Sequence, residues 1–160
     1  MKKLFAVLLT IAMILAMTAC GGGNTPVSSG GAVPSSPEGA KQVTVGLIQL
    51  MEHPSLDEIR AAITARLEEK SAESGVSIQV NYQNAQGDTS TINTICQQFV
   101  AGKVDVIVAI ATPAAQGAAA AAENSGIPVV FSAVTDPVAA GLVENLEAPE
   151  GNITGTSDAI

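Results

Sequence analysis

The stretch VDVIVAIATPAAQGAAAAAENSGIPVVF, residues 104–131, decides the fold of this chain. Its first seven residues are almost wholly apolar, as in a strand that is covered on both faces of a sheet. Thr112 and Pro113 follow, and Pro is favoured in the first turn of a helix. An alanine-rich segment then runs to Gly126, and residues 127–131 are again apolar. We predict a strand, a helix and a second strand here.

The same alternation extends towards the N-terminus. It predicts strands at residues 43–50 and 76–82, and helices at residues 54–75 and 88–102. Ser55 and Glu58 fit a capping box at the start of the first helix. Asp88 is expected to cap the second helix, and Thr112 can cap the third. Four strands that alternate with three helices predict an α/β fold with a doubly wound parallel sheet.

The N-terminus has the build of an export signal. Lys2 and Lys3 precede an apolar run at residues 4–16, which is too short to span a membrane, and small residues lead to Cys20. This pattern resembles the bacterial lipobox, so residues 1–19 are predicted as a lipoprotein signal peptide and Cys20 as the lipidation site. Ordinary signal cleavage, with Cys20 free or in a disulfide, is the alternative. Residues 20–40 add a Gly/Ser/Pro-rich segment, which predicts a flexible tether to the membrane outside the cytoplasm.

Composition excludes several classes of function. Removing Lys2 and Lys3 takes the formal net charge from −8 to about −10, which argues against nucleic acid or anionic lipid as a partner. Cys96 has no mate once Cys20 is acylated, so neither a disulfide framework nor a metal cluster is expected. Its place on an apolar helical face predicts a buried structural thiol. The chain has no nucleophile elbow, Walker loop or metal-spaced histidines, so we predict neither an enzyme nor a cofactor.

A ligand site is expected where the strands end. Open α/β sheets bind ligands beyond the carboxyl ends of their strands, and this rule selects residues 49–55, 84–89, 111–116 and 132–136. The Thr112 hydroxyl and the amides of Ala114 and Ala115 favour a carboxylate or phosphate, or Thr112 only caps its helix. Asp136 could accept a ligand ammonium, or cap a short helix that follows it. His53, beside Glu52, could bind a ligand or lie idle in a surface loop.

Several blocks of sequence, read together, point to one family. They are GLIQ (46–49), EHP (52–54), YQNAQGD (82–88), VDVIVAIATPAAQ (104–116), IPVVFSAVTDP (127–137), GLV (141–143) and GNITGTSD (151–158). In combination they resemble the substrate-binding lipoproteins of ABC transporters, the family that includes the tryptophan/tyrosine-binding proteins.

The resemblance implies a two-lobed, type I periplasmic-binding fold that closes on a small solute and delivers it to an ABC permease. Residues 41–154 would form the first lobe. Residues 155–160 would form the hinge and the start of a second lobe, so we expect the chain to be a fragment. The implied solute is an aromatic amino acid such as tryptophan or tyrosine. The implied ligand-binding residues are Gln49, Glu52, His53, Thr112, Pro113, Ala114, Thr135, Asp136, Ser157 and Asp158.

We expect different residues to bind the different charged groups of the solute. Thr112 and the amides of its helix suit the carboxylate of an amino acid, whereas Asp136 or Asp158 suits its ammonium group. There are three alternatives to solute capture: a ligand sensor on the same fold that presents solute to a membrane receptor or kinase, a lipid-anchored α/β enzyme, and a DNA-binding repressor, a class that shares the lobe fold. The export signal and the acidic charge argue against the repressor.

Overall fold

The structure is a computed structural model and describes residues 41–149 and 151–158. Its elements are β1 (Gln42–Gln49), α1 (Pro54–Ser74), β2 (Ser77–Asn84), α2 (Thr89–Ala101), β3 (Val106–Ile110), α3 (Thr112–Ala122), β4 (Val129–Val134) and β5 (Ile153–Ser157). The predictions for residues 1–19 and 20–40, including lipidation of Cys20, lie outside the described residues. Within the described part, no helix combines the length and the apolar character needed to cross a bilayer.

The strands form one five-stranded sheet in the order β2-β1-β3-β4-β5. Every neighbouring pair is parallel, so the predicted parallel α/β fold is confirmed. The apolar pattern predicted four of these strands but not β5. This strand pairs with β4 from Ile153 to Ser157, with an irregularity between Phe131 and Val134. It lies across the expected boundary between lobe and hinge at residues 154 and 155, and that boundary stays a prediction.

Helices cover both faces of the sheet. The predicted apolar stripe of α1, with Ile63 at its middle, packs on one face against the side chains of β1 and β3; the contacting residues are Leu56, Ile59, Ile63, Leu67, Val45, Leu47, Val108 and Ile110. On the opposite face α2 and α3 pack against the alternate residues of the same strands, such as Ile48 and Ile107. The sheet is therefore doubly wound, as predicted.

Close packing on the second face depends on small residues. A β-carbon on Gly46 of β1 would lie 2.7 Å from Phe99 Cδ2 of α2. A β-carbon on Gly117 of α3 would overlap Ile92 Cγ2 of α2. Cys96 is fully buried in this layer, as predicted, and desolvation raises the pKa of its thiol to about 11. The two helices and the sheet thus approach one another closely where side chains are small.

The helix starts differ from the predictions in two places. His53, not Ser55, caps α1: its backbone is extended and its Nδ1 accepts a hydrogen bond from the Ser55 amide at 3.3 Å, so the capping box is wrong. Thr112 does not cap α3, because Ala111 holds the cap position and Thr112 is already helical. The Asp88 cap is confirmed, and its Oδ1 accepts from the amide of the third helical residue, Thr91, at 2.7 Å.

Candidate functional site

The predicted site residues all follow strand ends at one edge of the sheet. Because the strands are parallel, their carboxyl ends share that edge. The residues come from the end of β1 (Gln49) and the loop after it (Glu52, His53), the start of α3 (Thr112, Pro113, Ala114), the loop after β4 (Thr135, Asp136), the end of β5 (Ser157) and the residue after β5 (Asp158). The strand β1 lies between β2 and β3 in the sheet. Helix α1, which leads from β1 to β2, and helix α2, which leads from β2 to β3, pack on opposite faces. The switch point of the sheet therefore falls beside Gln49.

Gln49 is turned into the lobe. It is 0% exposed, and its Nε2 donates to the Met51 carbonyl at 2.7 Å and to Asp57 Oδ1 at 2.8 Å. Its Oε1 accepts from Arg60 Nε at 3.0 Å. The hydrogen bond from Gln49 is the main reason why the pKa of Asp57 is lowered, and Arg60 adds to this effect. Both amide protons of Gln49 are thus used inside the lobe.

Glu52 and His53, in contrast, are exposed at the edge. Glu52 lines a depression of about 270 Å³ together with Met51, Asn84 and Gln86. The strand-end rule selected the loops that contain these three residues, but no sequence signal marked the residues themselves. Met51 is the informative one, because a large apolar side chain with 41% exposure at a strand end is a place where an apolar ligand group can pack.

The start of α3 offers fewer donors than predicted. Ala114 is fully buried, so only its backbone can face a solute, while Pro113 is exposed and Thr112 is partly buried. The Ala115 amide donates to the Ala111 carbonyl at 3.0 Å, so its expected role as an anion donor is wrong. The Thr112 hydroxyl and the first amides of α3 remain, at the positive end of the helix dipole.

Of the four described non-glycine residues with positive φ, three lie at the same edge, and the fourth, Lys103, precedes β3. Ala111 has φ 80° and ψ 153°, a conformation that is nearly restricted to glycine. Gln86 and Ala133 also have positive φ, at the ends of β2 and β4. The Ala111 amide donates to the Ser132 carbonyl at 2.9 Å, which fixes the start of α3 against β4. Such strained residues collect at functional sites, so their distribution supports the position of this one.

Two carboxylates follow the ends of β4 and β5. Asp136 Oδ1 accepts from the amides of Val138 at 3.1 Å and Ala139 at 2.9 Å, so Asp136 caps the turn that follows it. Its Oδ2 has no hydrogen-bond partner among the described residues. The Asp158 amide donates to the Val134 carbonyl at 3.2 Å, which ties the chain after β5 to the end of β4. This end of the edge can therefore offer acidic oxygens to a cation.

The arrangement suits a small zwitterion. Within residues 41–149 and 151–158 there is no group of three His, Cys, Asp or Glu side chains that could hold a metal ion. Helix amides at α3 favour an anionic group, and Asp136 and Asp158 favour a cationic one. Both kinds of group occur together in a free amino acid.

The chain is similar to known proteins in both sequence and structure. Residues 44–160 match the family described as ABC transporter substrate binding protein. The tyrosine-binding protein of Clostridioides difficile (strain R20291) is 48% identical over 118 residues, which are 74% of this chain and 34% of that protein. The ABC domain from Streptococcus pneumonia, solved in complex with L-Trp, is 40% identical with a TM-score of 0.68, over 74% of this chain and 39% of its own.

The ligand-free, open structure of a substrate-binding protein with adhesive properties from Clostridium difficile is 44% identical. Its TM-score is 0.68, and the match covers 74% of this chain and 39% of that one. The chain thus spans between 34% and 39% of the length of these three relatives. The match to the family covers most of the chain and includes every predicted ligand-binding residue. The chain therefore belongs to the ABC transporter substrate-binding protein family, as the resemblance predicted.

Proposed function

We propose that this protein is the solute-capturing component of an ABC importer and that its solute is an aromatic amino acid of the tyrosine or tryptophan kind. The observation that carries the proposal is the placement of the α3 N-terminus, Asp136 and Asp158 along one edge of the sheet. The names of two relatives point the same way, because one is called a tyrosine-binding protein and the other was solved with L-Trp.

In this proposal each group of the amino acid has a counterpart. The carboxylate is bound by the Thr112 hydroxyl and the first amides of α3, and the ammonium by Asp136 or Asp158. Met51 offers an apolar surface near the end of β1, in a depression that it lines together with the polar residues Glu52, Asn84 and Gln86. The longer length of the relatives supports a second lobe that closes over the solute from the other side.

The protein would work outside the cytoplasm. After export, Cys20 carries lipid and becomes the N-terminus, and residues 21–40 tether the lobe near an ABC permease that receives the solute. Replacing Cys20 by Ala should move the protein from the membrane fraction to the soluble extracytoplasmic fraction with unchanged solute affinity. Retention of the processed variant on the membrane would contradict the anchor.

Calorimetric titration of the complete gene product tests the solute. We expect saturable one-to-one binding of L-tyrosine or L-tryptophan. Tyramine, which lacks the carboxylate, and 3-(4-hydroxyphenyl)propionate, which lacks the ammonium group, should each bind at least about tenfold more weakly, since each loses a charge-assisted contact. Absence of binding by tyrosine, tryptophan and phenylalanine to a folded protein would refute the aromatic assignment. Chemical conversion of a bound solute would refute the binding-protein function itself.

A further inference from the structure

The buried amide of Gln49 connects the loop after β1 to helix α1. Its Nε2 holds the Met51 carbonyl at 2.7 Å on one side and Asp57 Oδ1 at 2.8 Å on the other. A fully buried polar side chain is costly unless its hydrogen bonds are made. Here they are made only with the loop and the helix in their present positions, so the amide fixes one against the other.

Arg60 locks this connection from the helix side. Its Nε donates to Gln49 Oε1 at 3.0 Å, and its Nη2 lies 3.3 Å from Asp57 Oδ1. Its guanidinium carbon lies 4.6 Å from the centre of the Tyr82 ring on β2, within the range of a cation–π contact. One side chain therefore joins α1, β1 and β2. Its planar set of donors fits these partners in a way that a lysine ammonium cannot.

The loop between β1 and α1 is held at both ends, by Asp57 on the helix side and by Gly87 on the strand side. Asp57 binds it twice, because its carboxylate contacts Gln49 and its amide donates to the His53 carbonyl at 2.9 Å. At the near end, the Gly87 amide donates to the Leu50 carbonyl at 2.7 Å. The exposed residues of the loop, Met51 to His53, stand between these fixed points.

We propose that Asp57 and Arg60 are positioning residues, which act through the buried amide of Gln49 to hold the 51–53 loop in its solute-binding conformation without touching solute. This inference rests on the proposed function. It also changes the predicted role of Gln49 from a ligand contact to the link between helix and loop. Affinity would then depend on residues that lie behind the binding edge.

Arg60→Met tests the proposal, because it keeps the length of the side chain and removes the donors. Arg66→Met is the matched control: Arg66 lies on the same helix and pairs with Glu69, outside the Gln49 connection. We expect Arg60→Met to weaken tyrosine or tryptophan binding by about 3- to 30-fold, the usual range for coupling through a network. Arg66→Met should leave affinity unchanged.

Asp57→Asn provides the conservative comparison, since an asparagine oxygen can still accept from Gln49 and Arg60. We expect it to retain most of the affinity that Asp57→Ala loses. The methyl NMR signal of Met51, assigned with Met51→Leu, reports the loop without any solute. It should shift in Arg60→Met and not in Arg66→Met. A purely structural role for Arg60 would lower stability but move neither affinity nor this signal.

The outcomes separate this inference from the proposed function. If the wild type binds the amino acid and Arg60→Met matches Arg66→Met in affinity and in the Met51 signal, the positioning role is overturned and the proposed function stands. If the wild type binds none of the aromatic amino acids but the Met51 signal still moves in Arg60→Met, the proposed function is overturned. The role of Arg60 in holding the loop is then supported.

Discussion

Replacing Asp136 by Asn separates two roles that the structure gives to one carboxylate. Oδ1 caps a turn through the amides of Val138 and Ala139, and Oδ2 has no partner among the described residues. Asparagine caps about as well as aspartate, so the free energy of unfolding should change by only a few tenths of a kcal/mol. The charge is lost, however, and with it the proposed contact to the ammonium group of the solute.

We expect Asp136→Asn to weaken amino-acid binding by about 1–3 kcal/mol, the cost of losing a hydrogen bond to a charged group. That range corresponds to about 5- to 150-fold in the dissociation constant. The loss should be much smaller for 3-(4-hydroxyphenyl)propionate, which has no ammonium group. Calorimetric titration of both solutes with wild type and variant measures the difference, and urea unfolding checks the stability.

Asp105→Asn is the matched control. Asp105 also accepts a backbone hydrogen bond, from the Thr44 amide at 2.7 Å, but it precedes β3 and so lies at the opposite edge of the sheet. Its replacement should leave affinity unchanged. If Asp136→Asn binds tyrosine and tryptophan as tightly as Asp105→Asn does, Asp136 is not the ammonium ligand. The same experiment should then be repeated with Asp158→Asn.

Three further predictions concern the lobe itself. Gly117→Ala should lower the free energy of unfolding by about 1–2 kcal/mol, because overlap with Ile92 outweighs the gain in helix propensity. In a double-mutant cycle, Ile92→Ala should remove this penalty. An increase in the stability of Gly117→Ala would contradict the close packing. The pKa of Asp88 is lowered, chiefly by the hydrogen bond from the Thr91 side chain, so its contribution is present above the unfolded pKa and lost as pH falls through the folded one. In urea unfolding, the advantage of the wild type over Asp88→Ala, which removes the cap, should therefore shrink below about pH 4, and a difference that stays constant with pH would count against the cap. The pKa of Cys96 is raised to about 11, so its thiol should resist iodoacetamide at about pH 8 while the lobe is folded. The test uses a Cys20→Ser variant, and rapid labelling without unfolding would show that the thiol is not buried.

Most of the fold was predictable because its signals are local. Apolar runs marked β1, β3 and β4, and alternating apolar and polar residues marked β2. Gly75, Asp88 and Gly102 marked helix ends where the structure has them. The strand β5 was missed because ITGTS contains one large apolar residue and lies mostly exposed at the sheet edge. An edge strand is defined by its partner, here β4, and a single sequence does not display partners.

The site was predictable in location but less so in detail. The rule that ligands bind at the carboxyl ends of parallel strands needs only the order of elements, and the loops that it selected share one edge of the sheet. The direction of a side chain could not be predicted in this way. Gln49 lies at a strand end, as a ligand-binding residue would, but its side chain points into the lobe and hydrogen-bonds with Asp57 and Arg60. Asp57 and Arg60 lie 8 and 11 residues further along the chain, on a helix, so only the tertiary structure brings them to Gln49.

The position of β1 between β2 and β3 also sets the order in which the lobe can be made. Synthesis delivers β1 first, and β2 can pair with it after one helix, but its other neighbour is far along the chain: Thr44 and Asp105, joined across that pair, are 61 positions apart. Until β3 is synthesised, the apolar side chains of β1 lack their packing against those of β3. We expect folding to wait for that strand, as it does when distant pairings close a sheet. If synthesis pauses or stops before residue 106, β1 lacks its β3 partner and exposes apolar side chains. We expect such a chain to aggregate unless chaperones bind it.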